Sequence, residues 1–367
     1  MTYPDLLTGL TEGDSPTGMQ ITANTTAIQD AINAQNGPVM FPPGLYKHNP
    51  LTLLSGTTFI GAGNFAEGFS APDSAVTHLN LVRIGTNTTP MLNIGIGVAD
   101  ITLRDIVLDG GLFKNNPGCD VINVADDTSG PNQVNLRMER VTITQSGRYG
   151  LYVGVQRDDV KAYNCSFLYS YNHGLLTKGP DGVYESCAFG ANASPAVQSG
   201  ASGNNIEIQA VVNRVSNCDI WGGPGGTTTG TAIGIVVMPG ITGVVITGNG
   251  IDRHNHQGIY VDANCYSVSI MNNVFHSNSQ ASNGSYSHVY NDAGIPGGVM
   301  FDGNVATEDS VSGSPLNTGS YLLGNSQAEN TTTPANNEAY VGSCNYAQVG
   351  GTTPGVTAGI IGWSQTN

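Results

Sequence analysis

Two carboxylates, Glu207 and Asp262, and one imidazole, His173, fall in segments of one shape: Asn205-Ile-Glu-Ile-Gln, Gly258-Ile-Tyr-Val-Asp and His173-Gly-Leu-Leu-Thr-Lys. Apolar residues alternate with others in each, so a strand turns one set inward and the other outward. Gly150-Leu-Tyr-Val-Gly and Ala232-Ile-Gly-Ile-Val repeat the shape. If such strands stack, one outward column reads Tyr152, Leu176, Glu207, Gly234, Tyr260 and Tyr290. The next reads Gly154, Lys178, Gln209, Val236, Asp262 and Asp292. Stacked strands are about 4.8 Å apart, which sets Glu207 and Asp262 roughly 10 Å apart at the backbone. Their side chains then come within reach of the separation used by carboxylate pairs in inverting glycoside hydrolysis. Glu207, Asp262 and His173 are the expected proton-transfer groups. The turns entering these strands carry Arg148-Tyr149, Asn172-His173 and Arg253-His254-Asn255-His256. Arg148, Tyr152, Lys178, Arg253, His254, His256 and Tyr260 are expected to line a saccharide groove, with tyrosine rings as stacking faces. The competing reading is an ordinary solvated face, since every stacked-strand protein displays polar columns. His254 and His256 with Asp252 and Asp262 have the residue types of a metal site, but the stretch reads as a turn. Neither a metal nor another cofactor is expected.

The elements that would position these groups are legible from a repeat. Asn164-Cys165-Ser166-Phe167, Ser186-Cys187-Ala188-Phe189 and Asn217-Cys218-Asp219-Ile220 place cysteine in one slot. Arg140-Val141-Thr142-Ile143, Gly248-Asn249-Gly250-Ile251 and Asn272-Asn273-Val274-Phe275 continue the pattern with other residues there. The apolar anchors Ile143, Phe167, Phe189, Ile220, Ile251 and Phe275 are 24, 22, 31, 31 and 24 residues apart. Repeats of that size, built of short strands, make a solenoid whose turns must stack to bury their apolar faces. The slot faces the interior, so its cysteines are expected as free, buried thiols, and Asn249 and Asn273 as amides bonding from coil to coil. None of the six cysteines has zinc-ligand spacing.

Composition agrees. Gly is 50 of 367 residues and charged residues are only 11%, less than half the usual share of about 25%. The formal net charge is −15 with 12 basic residues, none of them clustered. Nucleic acid and anionic membranes are therefore poor partners, and a neutral glycan suits the charge better than an acidic one. No apolar run is long enough to span a membrane as a helix, so no membrane insertion is expected. The start, Met1-Thr-Tyr-Pro-Asp-Leu-Leu, has neither a basic n-region nor an apolar h-region. The expectation is a chain acting inside a cell, trimmed of its signal, or released by lysis.

Residues 1–20 read as an irregular lead-in, and Ile28, Ala31 and Ile32 fall at helical spacing, predicting a helix near 25–35. Pro38-Val39-Met40-Phe41-Pro42-Pro43-Gly44-Leu45-Tyr46, then Gly56-Thr57-Thr58-Phe59-Ile60-Gly61-Ala62-Gly63, follow it. This opening resembles that of pectate-lyase-like right-handed parallel β-helix proteins. The superfamily includes polysaccharide lyases, glycosidases and bacteriophage tailspikes. The resemblance implies an all-β, right-handed parallel β-helix over 21–305, capped by the N-terminal helix. Residues 306–367, rich in Ser, Thr, Asn and Gly, would form a small β-rich cap or trimerisation segment. Asp158-Asp159 ahead of His173-Gly174 is similar to polygalacturonase-type glycosidases, but the spacing is shorter and the flanking motifs are not there. The expected function is a virion-associated spike or tail protein, a homotrimer binding a neutral host-surface polysaccharide, with cleavage optional. The alternative is an extracellular or cellular carbohydrate-active enzyme, a glycoside hydrolase or polysaccharide lyase.

Overall fold

The computed structural model describes residues 7–13, 17–63, 76–80, 89–111, 118–130, 132–194, 200–223, 231–276, 278, 288–292 and 299–305. It also gives the backbone of 81, 306–309, 323–325, 340–341 and 345–349. The chain divides into two compact units, Met1–Ala188 and Phe189–Asn367.

The first unit opens with the helix Gly18–Ala34. It begins seven residues ahead of the expected start, because Thr17 and Gln20 form a reciprocal capping box. Asn24 lies inside the helix and is buried with Ile28 and Ile32 on one face. Its amide accepts from Thr11 N and donates to Thr11 O and Lys47 O, joining the segment before the helix to the first strands.

Behind the helix the chain winds in coils of parallel strands. Leu51–Leu53, Leu92–Ile94, Ile122–Val124, Leu151–Val153 and Leu175–Thr177 stack in one sheet. Gly44–His48, Thr77–Leu81, Ile101–Asp109, Asn132–Thr144 and Ser166–Leu168 follow one another on another face. Asp105, Arg140, Asn164 and Ser186 each take left-handed φ between 50° and 56°. That corner turns the following residue inward, and Ile106, Val141, Cys165 and Cys187 are all buried.

The second unit repeats the scheme. Asn204–Ile208, Ile233–Val237, Ile259–Val261, Val289–Asn291 and Leu323–Asn325 stack in parallel. Arg214–Ser216, Val245–Thr247, Val268–Met271, Val299–Asp302 and Tyr340–Val341 form a second row. Asp219–Trp221, Gly250–Asp252, Val274–His276, Val305–Asp309 and Asn345–Val349 form a third. Parallel pairing therefore runs past residue 305, into the span expected to be a separate cap. The rest of that span, including all residues from 350 on, lies outside the described residues.

The slot carries a buried ladder. Asn249 Oδ1 accepts from Cys218 N at 2.8 Å, Asn273 Oδ1 from Asn249 N and Nδ2 at 3.0 and 2.9 Å, and Asn304 Oδ1 from Asn273 N and Nδ2 at 3.0 Å each. Each asparagine thus satisfies a backbone donor of the coil before it, where an apolar side chain would leave that donor unpaired. Cys119, Cys165, Cys187, Cys218 and Cys265 are free and buried. Burial pushes the Cys119 thiol up to about 12, so it behaves as a small apolar group.

Candidate functional site

In the first unit, the strand Leu151–Val153 sends Leu151 and Val153 into the coil and Tyr152 to the opposite face, where neighbouring side chains between Asn123 and Leu176 leave it only 8% exposed. The turn ahead of it carries Arg148 and Tyr149. Arg148 grips Asp120 with two nitrogens, Nε to Oδ1 at 2.8 Å and Nη2 to Oδ2. The Asp120 side chain is 0% exposed and that of Arg148 40% exposed. Burial raises the Asp120 pKa more than the guanidinium lowers it, while the carboxylate raises that of Arg148. Asp120 Oδ1 also accepts from Tyr149 N, so one buried carboxylate positions both residues.

The guanidinium lies 4.6 Å from the Tyr149 ring centre and 5.7 Å from that of Tyr152. Tyr149 stacks on Tyr152 at 5.8 Å and on His173 at 5.4 Å. Lys178 Nζ sits 5.3 Å from the Tyr152 ring centre. The Tyr152 hydroxyl donates to Asp126 Oδ1 at 2.8 Å, an oxygen that also accepts from Val155 N. Burial first, then Asp126, raises the Tyr152 pKa far above its usual value, so this phenol stays protonated and donates. Arg148, Tyr152, His173 and Lys178, expected as site residues, are thus brought together. Tyr149, Asp120 and Asp126 belong with them and were not among the expected site residues. Asp120 had a signal: it precedes Arg148 by 28 residues, about one coil, in the corresponding turn.

In the second unit the outer column is Glu207, Val236, Tyr260, Tyr290. The expected column held Gly234 in place of Val236, two residues away along the strand. Alternation survives a shift of two, since Ile233, Ile235 and Val237 all satisfy an inward pattern. What decides the register is Gly234 itself: it is buried, and a Cβ there would meet Gly258 O at 2.4 Å and His254 Nε2 at 3.2 Å. Glu207 accepts from Gln209 Nε2 at 2.6 Å and from Asn204 Nδ2 at 3.3 Å. Tyr260 and Tyr290 stack at 5.3 Å with planes 3° apart. Asp262 and Asp292 follow them in register, bonding Val237 O and Val261 O through their backbone N–H groups. Burial, then Asp262 and Asp292, pushes the Tyr260 phenol up to about 12. Two strand spacings and two residues separate Glu207 from Asp262, about 12 Å at the backbone.

The histidine turn divides. Arg253 is exposed and paired with Asp252 at 2.6 Å. His256 is half-buried, and burial lowers its pKa. His254, expected at the saccharide face, lies inside: it is 0% exposed, between Asn205 Nδ2 at 2.9 Å and Asn278 Oδ1 at 2.8 Å. Because the turn curls into the coil at this residue, its ring faces the core and cannot touch a ligand outside. Among the described residues, no three His, Cys, Asp or Glu side chains are gathered to hold a metal ion.

No family model and no curated protein matches this chain. Solved structures do. The A-module of the mannuronan C-5 epimerase AlgE4 from Azotobacter vinelandii is 17% identical, with a TM-score of 0.57 over 94% of this chain and 96% of that one. The enzymatically active domain of tailspike protein 2 of bacteriophage CBA120 is 14% identical, with a TM-score of 0.55 over 88% of this chain and 44% of that one. Full-length tailspike protein 2 gives 13%, 0.56, 88% and 40%. All three are right-handed parallel β-helices. This chain has the right-handed parallel β-helix fold. Such identities carry the fold and nothing more, and the chain spans less than half the length of either tailspike chain. The β-helix accounts for the columns: its strands stack in register, so outward residues of successive coils fall into rows.

Proposed function

We propose that this β-helix binds, and acts on, a glycan, and that Arg148, Tyr149, Tyr152, His173 and Lys178 form a contact face. The observation that carries the reading is the Tyr152–Tyr149–His173 ring stack, flanked by Arg148 and Lys178. Rings held by a buried carboxylate are preorganised for the apolar faces of sugars, while the flanking N–H groups suit their hydroxyls. His173 supplies the imidazole there, a side-chain type suited to proton transfer. In the second unit, Glu207 and Asp262 are proposed as reacting carboxylates, with Tyr260 in register two strands from Glu207 and Arg253 and His256 in the turn leading into its strand.

The finer reading is a virion-associated spike or tail protein, trimeric, that engages a neutral host-surface polysaccharide. Its support is the net charge of −15, which disfavours acidic glycans, and the tailspikes among similar folds. A second reading, a cellular or extracellular carbohydrate-active enzyme, is favoured by the match to 96% of the epimerase module. A polysaccharide panel with product analysis, run beside a mass measurement in solution, tests both. The spike reading expects a trimer retained on a neutral polysaccharide. A monomer turning over such a polymer would sink it, and an SDS-resistant trimer without turnover would sink the enzyme reading. Glu207→Gln or Asp262→Asn is expected to abolish cleavage with the fold intact; unchanged turnover in both removes these carboxylates from the mechanism.

A further inference from the structure

Inside the second unit, five polar side chains form a file with every member 0% exposed: Asn192, Asn205, His254, Asn278 and His288. Asn192 N and Nδ2 donate to Asn205 Oδ1 at 3.3 and 3.0 Å. Asn205 Nδ2 donates to Trp221 O at 3.0 Å and to His254 Nε2 at 2.9 Å. Asn278 Oδ1 accepts from His254 N at 3.1 Å and from Nδ1 at 2.8 Å. Asn278 Nδ2 donates to Ile251 O at 2.9 Å and to His288 Nδ1 at 3.2 Å.

Backbone groups fix the sense of the Asn205 and Asn278 amides. Trp221 O and Ile251 O accept only, so they orient the two Nδ2 groups; Asn192 N and His254 N donate only, so they orient the two Oδ1 atoms. His254 is thereby held as the neutral tautomer with its proton on Nδ1, and its bare Nε2 faces an N–H. All side-chain donors in the file point the same way, toward His288. A second proton on His254 would set N–H against N–H at Asn205. Turning the Asn205 amide to receive it would set Nδ2 against the Asn192 donors and cost Trp221 O one of its two donors, leaving it Ala191 N. The file admits no local repair.

We propose that this amide–imidazole file is an acid-sensitive latch: protonating His254 breaks it and loosens the coils of the second unit that it joins. The charged and titratable groups around His254 do not offset this. Asp252 is paired with Arg253 on the outside, His256 and His276 are on the same turn and the next coil, and the preceding coil presents Asn205, Trp221 and Gly222, with Asp219 exposed. Burial pushes the His254 imidazole down from 6.5 to about 4, outweighing the help of Asn278 and Asp252. A group depressed in the folded state stabilises fully above its unfolded value and loses that contribution as pH falls through its folded one.

The chain holds two tryptophans, Trp221 and Trp363. In a Trp363→Phe background, Trp221 fluorescence during urea unfolding reports the second unit directly. Between pH 6.5 and 4, the unfolding constant is expected to rise up to about tenfold per pH unit beyond that of the same protein carrying His254→Gln. Equal pH slopes in the two proteins would overturn the proposal. If the variant does not fold, nitrogen NMR of the parent's histidines decides. His254 held neutral with its proton on Nδ1 at pH 5.5 supports the latch. An ordinary titration of His254 above pH 6 with Trp221 undisturbed refutes it.

Discussion

Asp120 is the residue on which the proposed contact face of the first unit depends. It is buried, it holds Arg148 by two nitrogens and Tyr149 by its backbone, and those two residues carry the ring stack. Asp120→Asn keeps the volume and loses the charge-assisted grip. The expected cost is about 1–3 kcal/mol, toward the lower end because Arg148 is partly solvated, and is read by urea denaturation. Glycan retention is expected to fall more steeply than stability, since the rings lose their registration. Arg148→Lys should behave alike, because an ammonium cannot make the two parallel bonds. Retention at the parental level in both variants would remove this face from the function.

At the scale of the element, the corner decides most. A residue with left-handed φ precedes each slot, and Asn217, Gly248, Asn272 and Gly303 hold these positions in the second unit, at φ 54°, 69°, 54° and 64°. Asparagine and glycine alternate there because the asparagine side chain covers the next corner: a Cβ on Gly248 would sit 2.6 Å from Asn217 Oδ1, and one on Gly303 2.3 Å from Asn272 Oδ1. Gly248→Ala is therefore expected to destabilise through both the left-handed backbone and the displaced amide, by about 1–3 kcal/mol. Asn273→Ala strands buried groups on both neighbouring coils, Asn249 N among them, and is expected to cost about 3 kcal/mol or more. Thermal melts of the two variants beside Asn217→Ala, an exposed corner residue, check the ranking.

For the whole molecule, charge and buried imidazoles set the solution behaviour. With a net charge of −15, self-repulsion opposes folding, so shortening the screening length from about 30 Å to about 8 Å with salt is expected to raise the melting temperature. Over the same range a neutral glycan should bind with unchanged affinity, whereas binding that responds strongly to salt would argue for a charged ligand. His48, buried in the first unit with its imidazole pushed down to about 4 by burial, adds its own acid sensitivity. Its contribution is complete above about pH 6.5 and is lost as pH falls through about 4, so stability is expected to decline on that flank in a pH series of melts.

The amino-acid sequence determined the coil, the inward slot and the side of each strand that faces out, because alternation and spacing are local properties that stacking must respect. It placed Tyr152, Lys178 and Tyr260 in outer columns and Asn249 and Asn273 in a buried ladder without any knowledge of neighbours. The helix starts earlier than the spacing of Ile28, Ala31 and Ile32 implies, because the Thr17–Gln20 box and the docking of Asn24 against Thr11 and Lys47 extend it toward the N-terminus. Most pairings, Tyr152 with Leu176 and Tyr260 with Tyr290 among them, follow the expected columns, and one does not. A two-residue shift leaves alternation intact, so Val236 rather than Gly234 stands between Glu207 and Tyr260 for a tertiary cause: His254 folds inward and occupies the space a side chain on residue 234 would need. The tertiary structure thus decided that one histidine of an apparently exposed turn is a core residue, since burial is a property of what packs around a side chain and not of its type.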